Sequence, residues 1–236
     1  MTIQEMHIAV KLGLDKSTAL ELPAFEPEEI DLWLNEAILL FTKTRYSGNN
    51  AKKESFEQTQ KRINDLSTLV TDAEDAGTLG LALTTSVDYP NSYVASSAWP
   101  TDYMFSVAEE VGTDTVNGVA SVNRWGVTQC TFDEYRQKID DPYSEHILHY
   151  NSAKPLRLFD DTNVRLITDS NYTLDRYYLT YIRVPATVDV VSVTTVDCDL
   201  PDHTHNEIVS ISVDLMLENI EQPRVQTHNQ ITRSME

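Results

Sequence analysis

The segment from Thr204 to Pro223 constrains the fold more than any other part of the chain. Thr204 and Glu207 have the spacing of a capping box, in which a hydroxyl and a carboxylate each bind a backbone amide at a helix start. The apolar residues that follow would cover an unusually wide helix face, so this helix should be largely buried. The same residues also alternate as in a strand, but the cap, the length and Pro223 as a stop favour a helix over 203–223.

Residues 1–72 have the pattern of a helical region. Thr2 and Glu5 repeat the capping-box spacing and predict a short first helix that ends near Gly13. Pro27, placed in a first turn among carboxylates, predicts the start of a second helix. The expected buried face of that helix is formed by Ile30, Trp33, Leu34, Ala37, Ile38 and Phe41.

A third helix is expected from about Lys52 to Val70, because its apolar residues share one helical stripe. The members of that stripe are Phe56, Ile63, Leu66 and Val70.

Residues 73–202 change character to short β-prone segments separated by turn residues, which indicates an antiparallel, sandwich-like β body. Thr131 and Glu134 predict a helix inserted near 131–139. The turn sequence 169–171 predicts a hairpin between strands at 164–167 and 177–182. The predicted fold is therefore α+β, with N-terminal helices, an antiparallel β body carrying an inserted helix, a long buried C-terminal helix, and a polar tail at 224–236.

Composition limits the function classes. The formal net charge of −19 disfavours general binding to nucleic acid, because binding by counterion release requires cationic side chains. Cys130 and Cys198 are the only cysteines and form no framework of the kind that small secreted domains use. The start of the chain lacks the features of a signal peptide, and no apolar run approaches the length of a membrane span. We expect a soluble protein synthesised in a cytoplasm.

The densest set of potential metal ligands consists of Cys198, Asp199, Asp202, His203 and His205. A zinc site is conceivable there, and a metal-dependent enzyme centred on Cys198, His203 and His205 is one alternative function. The pattern is neither a paired CxxC nor an HExxH helix, however. The competing interpretation is that Asp202 and Thr204 cap the helix while Cys198 is a small buried side chain.

Three further groups of residues have structural and functional interpretations. The acidic residues Asp133, Glu134, Asp140, Asp141 and Glu145, with His146 and His149, could supply an acid and a base but are typical of a solvated face. The basic residues Lys43, Arg45, Lys52, Lys53, Lys61 and Arg62 could face DNA, although helix solvation explains them too. On a strand, Tyr177 and Tyr181 would face the side opposite to Tyr178. One side could then be core and the other an interface. A second alternative function is that the tyrosine-rich surface binds a glycan or a receptor.

The order of several motifs carries a family resemblance. They are the entry Trp99–Tyr103 into a strand, the Asp140–Tyr143 block, a strand ending in Arg-Val-Pro at 183–185, Cys-Asp-Leu-Pro at 198–201, and the histidine-rich helix start that leads to Arg224. In this order the chain resembles the head-to-tail connector (adaptor or ring) proteins of tailed bacteriophages, especially those of crAss-like podoviruses.

The resemblance implies a non-enzymatic virion protein, made in the bacterial host, that forms a ring beneath the portal, commonly a dodecamer. Such a ring extends the DNA channel without specific DNA binding, docks the tail and contacts other neck or tail rings; no membrane, cofactor, metal or catalytic residue is implied. Spaced apolar residues in the terminal segment, Val225, Ile231 and Met235, could contact the portal or an adjacent subunit, although a frayed chain terminus explains them equally well.

Overall fold

The computed structural model describes residues 1–17, 25–47, 55–72, 79–84, 86–95, 99–160, 163–192 and 194–219. The chain divides into two compact units, one from Met1–Leu69 together with Val184–Glu236, and the other from Val70–Arg183. The first is helical and the second is built on a β-sheet, so the predicted α+β class is confirmed. The predicted domain boundaries at 72 and 202 stay predictions, because a geometric division does not measure independent folding.

The described part of the helical unit contains α1 (Ile3–Ser17), α2 (Pro27–Tyr46), α3 (Gln60–Leu66) and α5 (His205–Asn219). The predicted cap of α1 is present. The Thr2 amide donates to Glu5 Oε2 at 2.9 Å, and the Glu5 amide donates to Thr2 Oγ1 at 3.3 Å. The helix extends past Gly13, however, because its apolar stripe continues to the buried Leu14.

Helix α2 begins as predicted, with Pro27 in its first turn and Glu26 at its N-cap. The Glu26 amide donates to Glu29 Oε2 at 3.0 Å, which completes a capping box at this end. Its predicted apolar face is buried except for Trp33, which is half-buried. The buried face also includes the polar residues Asp31, Thr42 and Arg45.

The prediction of one continuous third helix from Lys52 to Val70 is wrong. The residues before Ser55 in that range lie outside the described part, and the rest divides into a 3-10 turn (Phe56–Gln58), α3, a second 3-10 turn (Ser67–Leu69) and the strand β1 (Val70–Asp72). Thr59 is extended, with φ −136° and ψ 143°, and separates the first turn from α3. Ser55 and Gln58 form their own capping box, so local side-chain bonds stabilise the short turn.

The helix predicted at the C-terminal end is present as α5, and the strand alternative is excluded for these residues. Its start differs from the prediction, because Thr204 belongs to a 3-10 turn (Asp202–Thr204) and its hydroxyl donates to the Pro201 carbonyl at 2.8 Å. Glu207 binds cationic side chains and does not cap the helix. Residues 220–223, including the predicted stop, lie outside the described part.

The segment between the sheet and the last helix is held to α2 by side chains. Asn35 bonds both the amide and the carbonyl of Val188, at 2.8 and 3.1 Å. Asp31 accepts the Val190 amide at 3.1 Å and lies 2.7 Å from Nε2 of the buried His7 on α1. In its described residues this segment pairs only through the isolated bridge between Asp189 and Val196.

The β unit has ten strands in its described residues, in the order β5-β4-β10-β2-β3-β9-β8-β7, with β1 paired to β10 and β6 to β4. All pairs are antiparallel except the short parallel pair β7 and β8. The strands after β1 are β2 (Leu79–Thr84), β3 (Ser92–Ala95), β4 (Tyr103–Val116), β5 (Val119–Ala120), β6 (Arg124–Gly126), β7 (Thr128–Gln129), β8 (Leu156–Asp160), β9 (Asn163–Ile167) and β10 (Tyr172–Arg183). The predicted inserted helix is α4 (Phe132–Asp140), and its N-cap Thr131 accepts the Glu134 amide at 3.4 Å.

The turn at 169–171 forms as predicted, but the strands on either side of it do not pair with each other. Asp169 accepts the Asn171 amide at 2.9 Å, and Ser170 has φ 72°. The chain then crosses to the centre of the sheet, where β10 pairs with β4, β2 and β1, while β9 pairs with β8 and β3. The hairpin prediction is therefore wrong.

A close approach between α1 and α5 makes Gly13 sensitive to substitution. A Cβ atom on Gly13 would lie 2.9 Å from Cγ2 of the buried Val213. We expect Gly13→Ala to lower the free energy of unfolding, because overpacking costs about 1–3 kcal/mol and the better helix propensity of alanine returns only about 1 kcal/mol.

A double-mutant cycle measured by urea unfolding checks this. In a Val213→Ala background the clash is relieved, and the same Gly13→Ala change should become stabilising by about 1 kcal/mol. An equal effect of Gly13→Ala in both backgrounds would contradict the close approach.

Candidate functional site

The most extensive buried cluster of charged residues in the described helical unit joins three helices. Arg45 is in the last turn of α2, Asp65 near the end of α3, and Glu207 in the first turn of α5. Arg45 Nε lies 3.0 Å from Asp65 Oδ2, and Arg45 Nη2 binds Glu207 Oε2. Arg45 is 2% exposed and Asp65 is 1% exposed, so this pairing takes place away from bulk water. The cluster therefore fixes α2, α3 and α5 to one another.

Two more side chains complete this charge cluster. Lys61 Nζ lies 3.1 Å from Glu207 Oε1, and His203 Nε2 lies 3.0 Å from Asp65 Oδ1. The nearby Arg62 is also buried and donates to the Thr44 carbonyl at 3.4 Å. The prediction that these basic residues solvate a helix is therefore wrong for Arg45 and Arg62; Lys52 and Lys53 lie outside the described part.

The residues considered for a zinc site have other partners. His203 faces Asp65, and His205 is buried with Nε2 2.9 Å from the Leu200 carbonyl oxygen. Burial raises the pKa of the Cys198 thiol, so this cysteine is a protonated, weakly reactive thiol at neutral pH. Nowhere in the described ranges do three or more histidine, cysteine or acidic side chains converge as a metal ion would need.

The acidic residues near α4 bind separate partners and form no shared site. Glu134 pairs with Lys138 at 3.0 Å along the helix. Glu145 accepts the Thr128 hydroxyl at 2.7 Å, and this bond holds the pKa of the carboxyl below its usual range. Asp141 accepts the Tyr143 amide at 2.9 Å. These contacts are local hydrogen bonds and ion pairs on a solvated surface, as expected if the acidic residues form a solvated face and not a catalytic site.

His146 is the exception, because it is buried beside this acidic surface. Its Nδ1 lies 2.9 Å from Ser144 Oγ, and its carbonyl accepts the Tyr172 hydroxyl at 2.8 Å. Burial lowers the pKa of His146, although the nearby Asp169 and Asp141 carboxylates oppose the shift. The folded protein therefore holds His146 neutral at a pH at which the unfolded chain would protonate it.

The free energy of unfolding should consequently fall on acidification. A proton binds the unfolded chain more tightly, so stability is complete above the unfolded pKa near 6.5 and is lost as the pH falls toward the lower folded pKa. The slope from this one group is at most about 1.4 kcal/mol per pH unit. Urea unfolding between pH 7.5 and 5 should show a smaller loss for His146→Gln than for the natural protein; equal pH dependence would contradict a neutral buried imidazole.

The tyrosine-rich strand β10 has two different faces, as predicted. Tyr172, Tyr177 and Tyr181 are buried in one hydrophobic cluster, and burial strongly raises the pKa of Tyr177. Tyr181 donates to Asp102 Oδ1 at 2.9 Å, and burial together with this bond raises its pKa to about 12. These residues are core, and only Tyr178 is left on the other face.

Tyr178 lines a surface depression of about 220 Å³, with Asp72, Ala108, Glu110, Arg124, Leu179 and Thr180. The Arg124 guanidinium carbon lies 3.9 Å from the centroid of the Tyr178 ring, close enough for a cation–π contact. Arg124 Nη1 is also 4.0 Å from Glu110 Oε2. This depression therefore combines an aromatic wall, a cation and carboxylates in a small volume.

A second buried ion pair belongs to the β unit and was not predicted. Arg157 on β8 binds Glu109 on β4, and both side chains are almost fully buried. The Glu109 carboxylate lies close enough to Tyr177 to raise the pKa of that phenol further. A sequence pattern offers no signal for this pair, because the two residues are distant along the chain and each looks like a surface charge. The predicted partner contacts Val225, Ile231 and Met235 lie outside the described residues.

Within the described ranges, most of the candidate acids, bases and ligands bind one another or the backbone in separate places. No helix in the described part is both long and apolar enough to cross a membrane.

The chain belongs to the family described as phage tail ring protein 3/4, whose model matches residues 1–228. The resemblance to crAss-like phage ring proteins is thereby confirmed, and the protein is a structural ring component of the virion. The search of curated proteins returned no match.

Proposed function

We propose that this protein is a non-enzymatic subunit of a head-to-tail connector ring that attaches to the portal, extends the DNA channel and docks the tail. The observation that carries the proposal is the family match over almost the entire chain. After synthesis in the bacterial cytoplasm, the subunit joins the neck at the portal vertex. Its neighbours there are copies of itself, the portal and other neck or tail rings.

A closed ring requires two different complementary faces on each subunit, because identical faces pair only into dimers. The rigid helical cluster around Arg45 and the long β4–β10 pairing support this proposal, since both would hold surface features in fixed positions. A dodecamer would match the symmetry of a portal ring.

The charge of the chain also suits a conduit. Tight binding of DNA draws its free energy from cations that displace counterions from phosphates. A chain with 37 acidic and 18 basic side chains provides few such contacts, so DNA can pass the ring without adhering to it. Repulsion of the phosphates would favour sliding during packaging and ejection.

Assembly on a preformed portal is the corresponding mechanism. We expect purified subunits to be monomeric at low concentration and to form rings when portal is supplied. Negative-stain microscopy and mass measurement of portal alone, subunit alone and the mixture test this. A mixture whose masses are only those of the separate components would contradict portal attachment.

The terminal segment is proposed to contact the portal or a neighbouring subunit through Val225, Ile231 and Met235. Deleting residues 225–236 should weaken binding to portal rings, and replacing these three residues with serine should reproduce the defect while retaining the length. Portal binding unchanged in both variants would remove this part of the proposal.

A further inference from the structure

A tight two-residue turn in the β unit presents an aromatic side chain in a strained conformation. His149 and Ser152 exchange backbone hydrogen bonds of 3.0 and 2.9 Å around Tyr150 and Asn151. Both turn residues have positive φ, 53° for Tyr150 and 75° for Asn151. Asparagine and glycine are common in such turns, whereas a bulky residue with positive φ is an outlier. The Tyr150 side chain is nevertheless fully exposed, so packing among the described residues does not explain the tyrosine.

Hydrogen bonds anchor the segment that carries this turn. The Lys154 amide donates to the Glu145 carbonyl at 2.8 Å, and the Leu148 amide donates to Asp169 Oδ2 at 2.7 Å. The Tyr172 hydroxyl, which comes from the core face of β10, donates to the His146 carbonyl at 2.8 Å. A strained residue on a well-anchored segment is typical of a functional position.

The depression around Tyr178 lies on the opposite side of β10. Side chains alternate across a strand, and Tyr177 enters the core on the side that carries the Tyr150 turn. The depression is small and open to an inserted side chain, with Arg124 and Tyr178 forming its cationic and aromatic walls. Glu110 is half-exposed there and offers carboxylate oxygens that can accept a hydrogen bond.

We propose that the Tyr150 turn of one copy inserts into the Tyr178 depression of the next copy, which gives the heterologous contact of the ring; this rests on the proposed ring function. The Tyr150 ring would pack against the Arg124 guanidinium, and its phenol would donate to Glu110 or Asp72. The occupant is a second copy because the two features are chemically complementary, lie on opposite faces of one sheet, and so can repeat head to tail. A fully exposed tyrosine that becomes buried in a pocket of a partner has the character of an interface hot spot.

The variant Tyr150→Gly separates this role from a structural one. Glycine adopts positive φ without strain, so the variant should unfold about 2–4 °C higher than the natural protein. Its self-association, measured by sedimentation over a concentration series, should nevertheless weaken by at least about tenfold. Val87→Ser is the matched control, because it removes another fully exposed apolar side chain of the same unit and should change neither association nor ring formation. Unchanged association of Tyr150→Gly would overturn the proposal.

Mixing two variants tests the head-to-tail geometry directly. Tyr150→Gly retains the depression and Arg124→Glu retains the turn, so neither should form chains or rings alone. The equimolar mixture should form a 1:1 dimer that grows no further, because one intact pair of faces is available. A mixture that stays monomeric at a concentration at which the natural protein associates would overturn the proposal.

Failure of the inserted turn and failure of the ring function give different results in this experiment. Rings that form equally well from natural protein and from both variants would reject the inserted turn while leaving the ring function in place. A natural protein that stays monomeric even on portal rings would reject both.

Discussion

Replacing Arg45 with alanine should lower the free energy of unfolding by about 3–5 kcal/mol, because it leaves a buried carboxylate without its cation. Asp65 is 1% exposed and would retain only the His203 imidazole among the contacts described. Glu207 would lose Arg45 as well, and the contact between the guanidinium and the Phe41 ring, 4.7 Å from carbon to centroid, would disappear. Urea unfolding followed by circular dichroism measures the loss.

A matched control is available on the surface. Arg176 pairs with Asp175 at 3.1 Å while both side chains are more than half exposed, so Arg176→Ala should cost at most about 1 kcal/mol. The two variants remove the same side-chain type and differ in burial. Similar losses for both would contradict the view that the Arg45 cluster holds α2, α3 and α5 together.

Replacing Tyr177 with alanine should cost about 3–5 kcal/mol, as is usual for a large aromatic residue removed from a packed core. Tyr177 is fully buried at the centre of the main hydrophobic cluster of the β unit, and the Trp99 ring lies 6.3 Å away. No rearrangement of neighbouring strands can fill the resulting cavity cheaply, because β10 is paired along both edges at this point. Thermal unfolding should show the loss as a marked drop in midpoint.

The adjacent Tyr178 provides the comparison for this experiment. Its side chain is half-buried on the opposite face and contacts Arg124, so Tyr178→Ala should cost only about 1 kcal/mol. If the two substitutions destabilise equally, the assignment of core and outer faces on β10 is incorrect.

The helices could be predicted from the sequence where local signals and apolar periodicity agreed. The cap of α1, the proline at the start of α2 and the threonine before α4 all act within one turn, so a pattern along the chain detects them. The third predicted helix failed because Thr59 is extended between two short helical segments. Apolar periodicity indicates that residues share a buried face, but it does not show where the backbone leaves the helical conformation.

The sequence predicted that this region is β-rich and mainly antiparallel, but it predicted the lengths of the strands and their pairing partners less well. The second half of β4 carries Glu109, Glu110 and Asp114, and such polar residues obscure a strand that pairs over its whole length with β10. Pairing between β10 and β1, and between β9 and β3, joins segments far apart along the chain. These partners follow from three-dimensional packing, which turn signals do not encode.

Among the candidate surfaces, too, features set by a local pattern were predictable and features set by contacts between distant elements were not. The two-faced arrangement of tyrosines on β10 follows from strand alternation and was predicted. The buried positions of Arg45 and Arg157 were not, because their acidic partners come from other elements of the fold. The strain at Tyr150 is a backbone property, and the Tyr-Asn pair alone did not reveal it.

An averaged image of the neck of the intact phage particle tests the central claim most directly. We expect copies of this subunit in a closed ring around the DNA channel, next to the portal, with each copy contacting the next through different faces. A neck density into which neither compact unit fits, in particles that contain no detectable copies of the chain by mass spectrometry, would contradict it.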